Sequence, residues 1–449
     1  GGLDMTKRLL TNGRLVNEGK IFDADVLVEG DRITRVESVL PGSVADEIID
    51  LKGKYLLPGL IDDQVHLREP GLTHKASIAS ESKAAALGGV TSFMDMPNTS
   101  PPTTTCAALA EKKLLAAGNS FANYAFYMGA TNDNIEEIKQ LVPGEACGVK
   151  VFMGSSTGKM LVDDPRTLEQ IFSQARCLVA THCEDTPTIK EAEDRYRRQY
   201  GENVPMSAHP KIRSEEACYK SSSLAVDLAK RYQTQLHVLH LSTARELELF
   251  PAGPLEGKSI TAEVCVHYLW FDESHYADLG TRIKCNPAIK RPEDRLGLIN
   301  GVKSDRIDII ATDHAPHTLA EKSLPYFEAP AGLPLVQHSL LMLLEQHRLG
   351  HFSLELIVEK AAHNPALRYH VQDRGFLREG YFADMVAVDL EGETSVTKDQ
   401  LLYMCGWSPL EGTRFESRIA LTFVNGSVVS RDGQIEGAPN GKALTFSTE

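Results

Sequence analysis

Pro58-Gly59-Leu60-Ile61-Asp62-Asp63-Gln64-Val65-His66-Leu67-Arg68-Glu69-Pro70-Gly71 reads as an apolar strand that delivers polar side chains at alternate positions. Residues two apart in a strand point the same way, so the pattern predicts one face carrying Asp62, Gln64, His66 and Arg68 into whatever the strand encloses. A strand edge with a solvated polar face shows the same alternation, and the rest of the chain argues against that simpler reading.

Downstream of Pro58, apolar strands alternate with amphipathic helices, the signature of a parallel α/β structure. Strands are expected near 60–66, 90–96, 121–128, 147–153, 177–183, 235–241, 259–266 and 307–313. The helical stretches between them have legible ends. One over 77–87 stops at Gly88-Gly89, one over 105–117 stops at Gly118, and Asp164-Pro165 opens a third as N-cap and first-turn proline. Thr243 and Glu246 form a capping box after the sixth strand. Eight βα units predict a (β/α)8 TIM-type barrel, in which chemistry gathers at the C-terminal ends of the strands.

Upstream, residues 8–16, 25–29, 33–36 and 45–49 read as short strands separated by turn pairs such as Asn12-Gly13 and Gly30-Asp31. Strand texture returns at 380–389 and 419–429. The expected organisation is therefore a small discontinuous β domain built from both chain ends, residues 5–57 and 371–449, around a barrel at 58–370. Residues 1–4, ahead of Met5, read as a cloning remnant and are left out of the fold argument. Long connections at 184–212, 267–306 and 314–333 follow the fifth, seventh and eighth strands, where such segments form lids or substrate walls.

With 449 residues, a net charge of −14 and a pI near 5.6, the chain is a poor match for nucleic acid or an anionic membrane surface, since both require basic patches. A small molecule is the expected partner. No apolar run approaches the roughly 20 residues that cross a bilayer, and the first residues lack the layout of a signal peptide, so a cytoplasmic location is expected. The eight cysteines are scattered and never form C-x-x-C, as in a reduced cytosolic protein.

On this map the unusual polar residues fall at strand ends: His66, Asn98, Lys150, His182, His240, His267 and Asp313. A lone histidine is more often a satisfied core group than a ligand, and His237, of opposite parity to His240, predicts that at most one of those two points inward. Together, three imidazoles and a carboxylate at one barrel mouth suit zinc or a similar divalent ion. Lys150, inside Cys147-Gly148-Val149-Lys150-Val151-Phe152-Met153, faces a large desolvation penalty as an ammonium. A neutral lysine amine can add carbon dioxide and become an anionic carbamate able to bridge two metal ions; a snorkelling ammonium is the alternative. Cys183 and Cys265 read as structural. Gly154-Ser155-Ser156-Thr157-Gly158-Lys159 lacks the phosphate-loop spacing, and Met160 stands where Ser or Thr belongs.

These residues resemble the cyclic-amide hydrolases of the amidohydrolase superfamily, the dihydroorotases foremost. The resemblance runs from Ala24-Asp25-Val26-Leu27-Val28-Glu29-Gly30 through Pro58–Gly71 and Met96-Pro97-Asn98-Thr99 to Thr312-Asp313-His314-Ala315-Pro316-His317 and Gly380-Tyr381-Phe382-Ala383-Asp384. It implies a barrel with one or two zinc ions, bridged by carboxylated Lys150 and bound by His66, His182, His240 and Asp313, with Asp313 also the acid/base. It further implies that Arg68, Asn98, Asn286 and His317 hold the carboxylate of dihydroorotate, which a guanidinium suits well. Two positions depart from the family, and His267-Tyr268, in place of the paired histidines common after the seventh strand, is one of them. Gln64 stands where an imidazole ligand belongs, and an amide is a weak zinc ligand.

The activity implied is reversible hydrolysis of L-dihydroorotate to N-carbamoyl-L-aspartate in pyrimidine synthesis, by a homodimer that can associate with a transcarbamoylase. Hydantoinases, dihydropyrimidinases and allantoinases share the metal centre without requiring a cation for an exocyclic carboxylate. Gln64 supports a third reading, a non-catalytic homologue that scaffolds a transcarbamoylase.

Overall fold

The computed structural model describes residues 5–154 and 160–447, so most of the Gly154–Lys159 stretch lies outside the described residues. Eight parallel strands form the barrel: β1 (Leu60–Val65), β2 (Val90–Asp95), β3 (Asn123–Phe126, resumed at Met128–Gly129), β4 (Val149–Phe152), β5 (Val179–His182), β6 (Leu236–Val238), β7 (Ile260–Cys265) and β8 (Ile309–Ala311). Their runs are buried on both faces, as strands enclosed by helices outside and side chains inside must be. The cylinder closes where β8 meets β1, with His66 N–H donating to His314 O at 2.7 Å. The predicted barrel is met.

Local signals place the outer helices. Ser77 caps Ile78–Leu87 by accepting from the Ser80 N–H, Thr105 caps Cys106–Ala116 by accepting from the Ala108 N–H, and Asp164 caps Pro165–Gln174. Thr243 and Glu246 do contact one another as a cap, but over a short 3-10 turn, Arg245–Leu249. The 184–212 connection holds a helix, Thr186–Tyr200.

Two expectations about side-chain direction are overturned. Between Asp62, paired with Phe93, and Val65, paired with Asp95, β1 has one residue more than β2. This bulge shifts the alternation by one place. Asp62 therefore leaves the Gln64–His66 face. It accepts from the Thr312 hydroxyl and backbone N–H and shares a small gap with Leu60, Val90, Val266 and Leu343 beneath the outer helices. Asp63 enters the barrel interior instead, where the Tyr369 hydroxyl donates to it. The second correction concerns His237 and His240, which both point inward. β6 ends at Val238, and His240 lies beyond it at φ 35°, so strand parity no longer relates the two.

The companion sheet draws on both chain ends. Strands at Lys7–Asn17, Lys20–Glu29, Arg32–Glu37, Glu47–Asp50 and Tyr55–Pro58 join strands at Met385–Asp389, Arg418–Val424, Ser427–Arg431 and Gln434–Ile435. The seam is the antiparallel pairing of Tyr55–Pro58 with Met385–Asp389. That pairing delivers the chain directly into β1. Among the described residues no helix is long and apolar enough to cross a membrane.

Candidate active site

A cavity of about 310 Å³ opens at the C-terminal ends of the barrel strands. The ten residues given metal, acid/base or substrate roles from the sequence all line it: Gln64, His66, Arg68, Asn98, Lys150, His182, His240, Asn286, Asp313 and His317. His267, Phe152, Cys285 and residues 330–333 complete the wall. Arg68, His240 and Asp313 stand just past their strands with φ of 69°, 35° and 51°. Non-glycine residues hold that left-handed backbone only where the surroundings impose it, and such positions concentrate at functional sites.

His66 and Asp313 form the centre. His66 Nδ1 lies 2.8 Å from Asn98 Oδ1, and its Nε2 lies 3.0 Å from Asp313 Oδ1. An amide oxygen can only accept, so Nδ1 carries a proton and Nε2 faces a carboxylate. That contact requires a second proton or another cation between the two atoms. Burial pulls the His66 pKa down against the pull of Asp313, which disfavours the doubly protonated ring. For Asp313, burial pushes upward but is outweighed by the His66 hydrogen bond and the neighbouring His66, His240 and Lys150 side chains, and the carboxyl lies below its ordinary range.

Lys150 is 1% exposed, and among the described residues its ammonium finds the Met96 sulfur at 3.4 Å and the Phe152 ring at 4.4 Å. Burial lowers its pKa to about 8. His182 and His240 meet edge to face with ring centroids 4.4 Å apart. His182 Nε2 donates to Glu184 Oε1 at 2.7 Å, and Arg213 donates to the same oxygen at 3.0 Å. The other His182 nitrogen is thereby left as a lone pair. His240 Nδ1 and both His267 nitrogens are buried without hydrogen-bond partners among the described residues, and burial lowers His267 to about 4. A neutral, lone-pair-rich lining of this kind suits a metal ion.

At the other end of the cavity, Arg68 donates through Nε to Pro316 O at 3.0 Å and has its Nη2 3.1 Å from His317 Nε2. Among the described residues no carboxylate forms an ion pair with it, and burial lowers its pKa to about 10. His317 lines the wall with both nitrogens committed, Nδ1 to Lys75 Nζ at 2.8 Å and Nε2 to Ala331 O at 2.9 Å. Asn286 Oδ1 is buried and unpartnered. Gln64 Oε1 has the Cys265 thiol at 3.6 Å.

Sequence reasoning passed over Glu184, Arg213 and Lys75. Glu184 carried a usable signal, since it lies two residues from His182 at the end of the same strand. Arg213 and Lys75 come from distant connections, and no local pattern marks them.

Known proteins share the sequence and fold of this chain along nearly its whole length. The amidohydrolase family profile matches residues 55–429. The chain belongs to the amidohydrolase family. Within it, the chain is 32% identical over 439 residues to a dihydroorotase of Halobacterium salinarum, covering 96% of this chain and 99% of that protein. It is 30% identical over 469 residues to an allantoinase of Solibacter usitatus, covering 99% of each. Among solved structures, the L-hydantoinase (dihydropyrimidinase) of Arthrobacter aurescens superimposes with a TM-score of 0.93 at 27% identity, covering 98% of this chain and all of that one. The barrel with its small β domain and the family resemblance seen in the motifs are thus both met.

Proposed function

We propose that this amidohydrolase is a dihydroorotase, interconverting L-dihydroorotate and N-carbamoyl-L-aspartate. The observation that carries the reading is Arg68, a guanidinium buried in the cavity wall with no carboxylate among the described residues forming an ion pair with it. A buried charge without a counter-charge is costly, and an exocyclic substrate carboxylate supplies the missing partner in bidentate form. Asn98, whose oxygen is taken by His66, still offers amide N–H groups to the same carboxylate.

The cavity fits a divalent metal ion on its own chemistry. The His66–Asp313 contact takes a second proton or another cation, His182 and His240 offer unprotonated nitrogens, and among the described residues Lys150 forms no ion pair. We propose zinc, held by these residues with Lys150 as its carbamate; Gln64 contributes an amide oxygen at best. Bound there, the ion supplies Lewis acidity at the ring carbonyl and acidifies water toward neutral pH. Asp313 accepts the proton of the attacking water and hands it to the ring nitrogen as the C–N bond breaks. Glu184 holds the His182 tautomer, and Arg68 and Asn98 fix the ring against Asp313.

The test is turnover of L-dihydroorotate by the zinc-supplied protein, with hydantoin and allantoin in parallel. Dihydroorotate turnover with little on the other two supports the proposal. The solved L-hydantoinase favours a second reading, and hydantoin turnover without dihydroorotate turnover would establish it in place of the first. Silence toward all three would return the scaffold reading that Gln64 suggests.

A further inference from the structure

Inside the barrel, Asp63 of β1, His237 of β6 and Glu263 of β7 meet with no solvent exposure at all. None of them lines the cavity described above. His237 Nε2 lies 3.2 Å from Asp63 Oδ2 and 3.2 Å from Glu263 Oε1.

The surroundings can take a ring proton on Nδ1, as a metal ligand at Nε2 requires. Thr261 Oγ1 sits 2.8 Å from His237 Nδ1, receives the Arg368 Nε–H at 2.8 Å, and directs its own hydrogen toward Leu236 O at 3.4 Å. With that hydrogen on Leu236 O, the hydroxyl accepts from Nδ1–H; with it on Nδ1, Nε2–H would donate to the carboxylates instead, and a metal ion requires the first arrangement. Nε2 then presents a lone pair to two carboxylates in a dry interior. Three electron-rich atoms that close together repel unless something positive lies among them.

The spacing fits a metal ion. Zinc bonds to imidazole nitrogen and carboxylate oxygen of about 2.0–2.1 Å give a tetrahedral edge of roughly 3.3 Å. Outer contacts hold the ligands as metal ligands are held. The Tyr369 hydroxyl donates to Asp63 Oδ2 at 2.9 Å, and the His240 N–H donates to Glu263 Oε2 at 3.3 Å. Asp63 Oδ1 is buried with no hydrogen-bond partner among the described residues.

We propose that Asp63, His237 and Glu263 form an interior site for a small divalent ion, zinc in the first instance, distinct from any ion in the cavity. Its role is to tie β1 to β6 and β7 across the barrel. The inference stands independently of the cavity's metal chemistry.

The test uses the whole chain crystallised with zinc chloride, with anomalous scattering recorded at the zinc edge. A peak among the three residues is expected, and a map with none there overturns the proposal, the explanation then being a proton shared between the two carboxylates. A peak there with none at the mouth supports the interior site and refutes the zinc proposed for the cavity. In parallel, zinc is measured after exhaustive dialysis against EDTA. A sealed site should retain about one equivalent per chain. Asp63→Asn should lose it, with Glu263→Gln as the second variant should the first fail to fold. Retention of that equivalent in a folded variant overturns the assignment.

Discussion

Replacing Arg68 by glutamine keeps a hydrogen-bond donor in the cavity and deletes its charge. Removing one side of a buried charge pair costs about 2–5 kcal/mol, so KM for dihydroorotate should rise roughly 30-fold or more with a smaller change in kcat. Steady-state kinetics checks this, and an unchanged KM dismisses the carboxylate role. Lys150 carries a pH prediction. Burial sets its pKa at about 8, so the ammonium dominates below that pH and the reactive amine above it. At fixed dissolved carbon dioxide, activation of metal-free protein should be roughly tenfold faster near pH 9 than near pH 7, and Lys150→Ala should abolish both activation and metal uptake at the cavity. Glu184→Gln should weaken zinc binding by about 10–100-fold, read by competition with a chelator, because the orienting carboxylate of His182 is lost. Most of the cavity residues were legible because each is an anomaly: a cation or imidazole in an apolar strand has few reasons to be there. Arg213 and Lys75 were not legible, since charged residues in connections are ordinary and only the folded chain shows what they touch.

The connection after β8 is expected from sequence to wall or cover the cavity, and the structure shows it clamped by two buried lysines. Lys284 donates to the carbonyls of Tyr326 and Ala329, and Lys322 donates to Lys284 O at 2.9 Å and Pro330 O at 2.8 Å. Lys322→Met should speed amide hydrogen exchange over 325–333 and raise KM, because residues 330–333 form part of the cavity wall. At the start of β1, a Cβ on Gly59 would lie 2.1 Å from Thr91 Oγ1. Gly59→Ala should therefore cost about 1–3 kcal/mol by forcing β1 from β2, measurable as a lower denaturant midpoint. Helix starts were readable from single capping residues, a local matter. The bulge in β1 was not, because alternation assumes an unbroken pleat, and one inserted residue sent Asp62 outward and Asp63 inward.

Across the whole molecule, the barrel was legible from counting strands and the second unit from the return of strand texture near the end. What counting could not give was the tail. Tyr124 N–H donates to Lys442 O and Leu444 N–H to Tyr124 O, at 3.0 and 2.8 Å, so the last described residues lie along β3 and bury Leu444. Deleting residues from 437 onward should lower the Tm by a few degrees while leaving the cavity residues in place, checked by thermal unfolding beside kcat. The seam between Tyr55–Pro58 and Met385–Asp389 carries a cost in time. A ribosome adding about 5–20 residues per second needs some tens of seconds to cover the roughly 330 residues between those strands. Through that interval the nascent N-terminal sheet shows Leu56 and Leu57 on an open edge, a ready template for a neighbouring nascent chain. Yield in a cell should thus depend on how fast translation finishes and on which chaperones wait at the exit tunnel.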